Sequence, residues 1–218
     1  MRNILTLAGL VGLALCLSLS ADAKGTRSAK GSSITEMDIR VCMGIAGADA
    51  QTQVQTCTKI LNSGKVKHPH ESEYYAYRAG AYLELDKATE ALADMNKAVG
   101  LVDKPEYRFQ RAVAFMANNK LDEAMADLDN IVSTRKDFAT AYFMRGVIHY
   151  RNAEFKKAIP EFDKAATLIP TYYQAIFARG AARLRADETD AAKADVKTAR
   201  GMSGQADADM AKLGISAP

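Results

Sequence analysis

The chain has 218 residues, of which 29 are Lys or Arg and 26 are Asp or Glu, so its formal net charge is +3. This small charge, without a basic stripe interleaved with aromatic residues, argues against a nucleic-acid partner. Apolar residues make up 48% of the chain, which is enough for a substantial core.

The N-terminal segment, residues 1–23, has the pattern of a secretory signal peptide. Arg2 precedes an apolar stretch from Ile4 to Leu19, and residues 21–23 form an A-x-A cleavage site. We predict cleavage after Ala23 and export, with the periplasm as the expected location.

Two alternatives to a cleaved signal remain open. An uncleaved anchor is one, although the apolar stretch is shorter than the roughly 20 residues of a membrane span. A lipoprotein modified at Cys16 is the other, although Leu15 is large for the residue that precedes such a site. No later segment is apolar enough to span a membrane, so we expect no span in the mature chain.

A flexible leader and a cysteine hairpin are predicted next. Residues 24–35 are rich in Gly, Ser and Lys and lack apolar periodicity, as is typical of a flexible segment. Residues 36–66 can form two short helices that bring Cys42 and Cys57 together. An isolated cysteine pair in an exported chain favours a structural disulfide over a metal or redox site.

The main part of the chain is a repeat. Arginines recur at a nearly constant interval, at Arg78, Arg111, Arg145 and Arg179. An alanine follows each arginine after thirteen residues, and an acid follows after sixteen, at Asp94, Asp127, Glu161 and Asp195. Such self-similarity predicts one helical unit stacked four times, over residues 72–204.

The third repeat shows the unit best. Its small and aromatic residues lie at helical spacing on two successive helices, at Gly146, Ala158, Phe162 and Ala165, and Pro170 closes it. This pattern resembles the tetratricopeptide repeat, and the chain looks similar to exported bacterial proteins of that family with an N-terminal disulfide hairpin. Pro160 falls inside the second helix, where we expect it to bend the axis.

The resemblance implies an all-α, right-handed superhelical solenoid of antiparallel helix pairs. It contains about four repeats, with residues 36–66 as a degenerate leading hairpin. Residues 205–218 are predicted to form a capping helix and tail, because Met210 and Leu213 are apolar at helical spacing.

The repeated arginines and acids are interpreted as structural ion pairs. Each arginine has an acid sixteen residues later on the facing helix, so we expect the charges to neutralise each other. The alternative is a row of arginines that binds phosphate or carboxylate ligands.

The resemblance also implies a concave groove, lined by the first helix of each repeat, in which a peptide lies. The predicted groove residues are Leu83, Phe109, Val113, Met116, Phe143, Val147, Tyr150, Arg151, Phe177, Leu184 and Arg185. The alternative is that some of these side chains are packed between neighbouring helices.

The predicted function is a non-enzymatic scaffold of the cell envelope that binds a peptide segment of another protein. The alternative is recognition of a cell-wall glycan or peptide, and self-association is a further alternative. We expect no cofactor and no metal, since His68, His70 and Glu73 serve as well in a polar linker as in a metal site.

Overall fold

The computed structural model describes residues 33–67 and 70–217, and these ranges contain helices and connecting turns but no strand. The predicted signal peptide and most of the predicted leader lie outside the described residues. The helices are α1 (Glu36–Cys42), α2 (Ala50–Asn62), α3 (Glu71–Glu84), α4 (Ala88–Leu101), α5 (Pro105–Ala117), α6 (Leu121–Thr134), α7 (Ala139–Arg151), α8 (Phe155–Leu168), α9 (Tyr173–Arg185), α10 (Thr189–Met202) and α11 (Ala206–Lys212).

The helices belong to two compact units, divided between Asp103 and Lys104. In the N-terminal unit (α1–α4), each helix packs against the next. In the C-terminal unit (α5–α11), α5–α6, α7–α8 and α9–α10 form pairs, and consecutive pairs touch through α6–α7 and α8–α9. Helix α11 packs on α9 and α10. The predicted all-α architecture of stacked helix pairs is confirmed.

Side-chain caps begin both helices of the N-terminal hairpin. The Thr35 backbone N–H donates to Asp38 Oδ2 at 2.8 Å, and Asp38 N–H donates to Thr35 Oγ1 at 3.1 Å, which makes a capping box. Asp49 caps α2 in a similar way. Between the helices, Gly44 and Gly47 have φ values of +76° and +68°, which favour glycine.

A disulfide joins the two helices of this hairpin, as predicted. Cys42 and Cys57 have Cα atoms 4.9 Å apart, and neither side chain is exposed to solvent. They form a small core with Ile60, against which Tyr74 and Tyr77 of α3 pack. The crosslink therefore lies inside the hydrophobic contact between the hairpin and the first repeat.

Reducing this disulfide is expected to lower the stability of the N-terminal unit by about 3 kcal/mol, because the bond restrains a short loop in the unfolded chain. Urea unfolding with and without dithiothreitol would measure the difference. A Cys42→Ala/Cys57→Ala variant should unfold identically in both conditions. Equal unfolding of the unmodified protein in both conditions would contradict the prediction.

The four turns within the repeats share a left-handed residue. Asp86, Asn119, Ala153 and Asp187 have φ values of +58°, +59°, +58° and +66°. Asn and Asp tolerate this conformation through local hydrogen bonding, whereas the Cβ of alanine is crowded there without such compensation. The third turn is therefore the most strained of the four.

Ala153→Gly is expected to stabilise the protein by about 0.5–1 kcal/mol, because relief of the left-handed strain exceeds the extra entropy of glycine in the unfolded chain. Thermal or urea unfolding would measure the gain. Ala126→Gly, the same substitution at an exposed helical position of α6, should instead destabilise by about 1 kcal/mol. Destabilisation by both substitutions would show that the turn is not strained.

Helix α8 continues through Pro160, the sixth of its fourteen residues. Proline has no N–H, so the helical hydrogen bond to the Lys156 carbonyl cannot form. Pro160 is exposed, which leaves that carbonyl near solvent. The bend that we expect at this position stays a prediction.

Candidate protein-binding surface

In the structure, the repeat arginines contact their predicted acids. Arg78 donates from Nε to Asp94 Oδ2 at 2.7 Å and from Nη2 to Asp94 Oδ1 at 2.8 Å. Two other pairs have the same bidentate geometry, with distances of 2.7–2.9 Å: Arg111–Asp127 and Arg179–Asp195. Paired planar groups of this kind give strong, directional bonds.

The third pair is weaker. Arg145 Nη2 donates to Glu161 Oε1 at 2.9 Å, but Glu161 Oε2 is buried without a hydrogen bond. Burial raises the pKa of the Glu161 carboxyl, and the nearby charge of Arg145 only partly opposes this. The longer glutamate thus fails to reproduce the two-point contact of the aspartates.

Two of these arginines also join consecutive helix pairs. Arg145 Nε lies 3.3 Å from Asp129 Oδ1 on α6, and Arg179 Nη1 donates to Asp163 Oδ1 on α8 at 2.6 Å. Both arginines are therefore surrounded by carboxylates of their own fold. This arrangement favours the structural interpretation of the charges over a row of anion-binding sites.

Most of the predicted groove residues are buried, which differs from the expected exposed apolar groove. Exposure of 7% or less is found for Leu83 in the N-terminal unit and, in the C-terminal unit, for Phe109, Val113, Met116, Phe143, Val147, Tyr150 and Phe177. Leu184 is half-buried, and Arg151 and Arg185 are exposed. Only these three offer a ligand substantial surface.

The burial of the phenylalanines has a specific cause. The ring of Phe109 lies 5.5 Å from that of Phe138, and the ring of Phe143 lies 5.1 Å from that of Tyr172. Phe138 and Tyr172 each directly precede the first helix of the next pair. Sequence reasoning missed this contact, although the two aromatic residues are one repeat length apart.

Arg151 and Arg185 are held by uncharged groups. Arg151 Nη2 donates to the side-chain oxygen of Asn119 at 3.2 Å. The guanidinium carbon of Arg185 lies 4.6 Å from the ring centre of Phe155. Neither contact neutralises the positive charge.

This makes the two arginines exceptional in the C-terminal unit. Its nine arginines are all described, and seven of them contact at least one carboxylate: Arg108, Arg111, Arg135, Arg145, Arg179, Arg183 and Arg200. Only Arg151 and Arg185 have no such contact among the described residues. They end α7 and α9 at equivalent positions of consecutive repeats, so the fold presents them on one edge.

The same edge offers little aromatic surface. The Tyr150 ring packs against Phe155 at 5.2 Å and is only 7% exposed. Stacking on a sugar ring would need an open aromatic face. Tyr150 therefore offers no open face for stacking on a sugar ring.

Neither a metal-binding cluster nor a membrane-spanning helix is found in the described ranges. Residues 33–67 and 70–217 contain no group of three or more His, Cys, Asp or Glu residues arranged to hold a metal ion. His70 Nδ1 lies 3.7 Å from a Glu73 oxygen, and His68 lies outside the described residues. No helix in these ranges is both long and apolar enough to cross a membrane.

Stacked helix pairs joined by largely buried ion pairs are typical of helical repeat proteins, a class whose surfaces commonly serve as binding scaffolds. More particularly, residues 109–173 match the tetratricopeptide repeat family. No curated protein matches the sequence.

Solved structures agree with this fold. MamA from Desulfovibrio magneticus RS-1 (residues 41 to the end) has a TM-score of 0.67 and 15% identity, over 80% of this chain and 97% of that one. Another MamA structure has a TM-score of 0.63 and 18% identity, over 79% and 93%. YrrB, described as a TPR protein with an unusual peptide-binding site, has a TM-score of 0.59 and 13% identity, over 80% and 87%. These likenesses support the tetratricopeptide fold and, with the family match, a protein–protein interaction scaffold.

Proposed function

We propose that this protein is a non-enzymatic scaffold of the bacterial cell envelope that binds an acidic peptide segment of a partner at Arg151 and Arg185. The observation that carries the proposal is that these two arginines contact no carboxylate among the described residues, whereas each of the other seven arginines of the C-terminal unit contacts at least one. An unneutralised, exposed guanidinium retains its capacity for bidentate bonds to a carboxylate.

The surroundings of the two arginines support binding of a protein segment. Contacts with Asn119 and with the Phe155 ring restrict the side chains, so less conformational entropy is lost when a ligand binds. Half-buried Leu184 lies next to Arg185 in sequence and can supply an apolar contact. The peptide-binding site named for YrrB is consistent with this use of the fold.

Two features support the envelope location. The N-terminal segment up to Ala23 has the pattern of a signal peptide. The Cys42–Cys57 disulfide is typical of oxidising compartments outside the cytosol. N-terminal sequencing of protein from the periplasmic fraction would test this part, with Lys24 expected as the first residue.

Binding can be tested with short synthetic peptides rich in Asp and Glu, and with Asn/Gln peptides of the same pattern. The mature protein should bind the acidic set, and salt should weaken the binding because the contacts are exposed. Arg151→Glu/Arg185→Glu should raise Kd about tenfold or more, through two lost surface contacts and new repulsion.

The control is Lys136→Glu/Lys164→Glu, which makes the same change in net charge at exposed positions of the same unit. It should keep the affinity of the unmodified protein, and circular dichroism would verify that both variants are folded. Equal losses in both variants, or equal binding of the amide peptides, would overturn the proposed site.

A further inference from the structure

The last helix pair, α9–α10, carries an open cleft that no residue of α11 lines. Its volume is about 250 Å³, and its lining is Gly180, Leu184, Ala192, Lys193, Val196, Lys197 and Arg200. Most of the exposed lining is apolar, and the three cations belong to α10. Arg200 is paired with Asp207, whereas Lys193 and Lys197 are exposed and have no carboxylate partner among the described residues.

The cleft lies at a position that is filled by a side chain in the preceding helix pair, α7–α8. In the third repeat, a Cβ atom at Gly146 would lie 2.5 Å from the Phe162 ring, so the aromatic side chain occupies the space beside the glycine. One repeat length later, the residue equivalent to Phe162 is the smaller Val196, and a Cβ atom at Gly180 would lie 2.9–3.0 Å from Asp195 Cβ, the Ala192 carbonyl oxygen and Val196 Cγ2. Val196 thus leaves space that a phenylalanine fills in the third repeat.

The charge of this face is reversed relative to earlier repeats. Asp129 and Asp163 each contact the repeat arginine of the next pair, at 3.3 and 2.6 Å. The residue one repeat length after Asp163 is Lys197. On α6, Asp129 contacts Arg145 of the incoming helix α7. Because Lys197 takes the equivalent position on α10, a helix that packs here would need an acid in place of that arginine.

We propose that this end of the solenoid, which we call the end cleft, binds an acidic amphipathic helix of a partner protein. Apolar side chains of that helix enter the cleft beside Leu184 and Val196, and its carboxylates pair with Lys193 and Lys197. A helix is the expected shape, because the equivalent faces of α6 and α8 each receive one, whereas α11 contacts α10 without lining the cleft. A second copy of this chain is disfavoured as the occupant. If it stacked here as the next repeat, one of its repeat arginines would lie against Lys197, and the two positive charges would repel.

The end cleft shares Leu184 with the Arg151/Arg185 edge, but its cations lie on α10, and the inference does not depend on the proposed function. The probes are a designed helical peptide with Leu on one face and Glu on its flanks, and the same peptide with Lys for Glu. The full mature chain should bind the Glu peptide and not the Lys peptide. Lys193→Glu/Lys197→Glu should raise the Kd about tenfold or more through lost pairing and new repulsion.

A second variant tests the cavity without changing charge. Val196→Phe introduces the phenylalanine that the third repeat has at the equivalent position, Phe162. The protein should therefore stay folded, while the filled cleft should lower peptide affinity about tenfold. Arg151→Glu/Arg185→Glu should keep its affinity for the helical Glu peptide, which distinguishes the two sites. Fluorescence anisotropy would measure binding, and circular dichroism would verify folding.

Equal binding of the Glu and Lys peptides, or unchanged affinity in Val196→Phe, would overturn the proposal and leave the basic residues as a solvated cap. Sedimentation that shows self-association, abolished by Val196→Phe, would assign the cleft to a second copy instead.

Discussion

Replacing Asp94 with leucine is expected to lower the free energy of unfolding by about 3 kcal/mol, because it leaves a largely buried arginine without its counter-charge. Arg78 makes two hydrogen bonds to Asp94, and its side chain is only 12% exposed. A third bond, from Nη1 to the Thr58 hydroxyl at 2.9 Å, would hold the guanidinium in place while its charge stays uncompensated. Urea unfolding followed by circular dichroism would measure the loss.

The decisive comparison is the double variant Arg78→Met/Asp94→Leu. Removing both charges avoids an unpaired buried ion, so its loss of stability should be much smaller than that of Asp94→Leu alone. Asp207→Ala is a matched control, since the Arg200–Asp207 pair has a similar contact but exposed partners, and it should change stability little. A double variant as unstable as the single one would show that the pair itself stabilises the fold.

Gly146→Ala is expected to destabilise the C-terminal unit by about 2 kcal/mol, even though alanine has the higher helix propensity. The added Cβ would lie 2.5 Å from Cε1 of Phe162, whose ring is fully buried and cannot move without disturbing its neighbours. The overpacking cost therefore exceeds the gain in propensity. Thermal unfolding would measure the net effect.

Gly80→Ala is the matched control for this prediction. Gly80 lies within α3, is exposed, and has no heavy atom near the position of an added Cβ. Its substitution should stabilise by about 0.5–1 kcal/mol. In addition, Gly146→Ala/Phe162→Leu should recover part of the loss, and stabilisation by Gly146→Ala would contradict the proposed clash.

The buried ion pairs explain why the repeat charges say little about the ligand. Arg145 and Arg179 contact carboxylates on two helices each, so they contribute to the alignment of neighbouring pairs. In the C-terminal unit, the positive charges without a carboxylate partner among the described residues include Arg151 and Arg185 on the edge and Lys193 and Lys197 in the end cleft. Both proposed surfaces therefore lie outside the paired charges of the repeat.

Much of the architecture could be predicted from the sequence, because period and patterning are local properties. The nearly constant interval between the repeat arginines defines the repeating unit, and helical spacing separates its two helices. The Gly44–Gly47 turn and the Cys42–Cys57 pair could be predicted for the same reason: a short hairpin limits where two nearby cysteines can lie. The match of each arginine to its acid also follows from their constant separation in the sequence.

Which apolar side chains are exposed depends on contacts between distant parts of the chain, and only the tertiary structure decided this. Phe109 and Phe143 have the spacing of groove residues, yet Phe138 and Tyr172, contributed by the start of the next repeat, help to bury them. Likewise, the sequence contains nine arginines in the C-terminal unit, but only their three-dimensional surroundings distinguish Arg151 and Arg185. Periodicity determines the face on which a side chain lies, whereas packing against the next repeat determines whether a ligand can reach it.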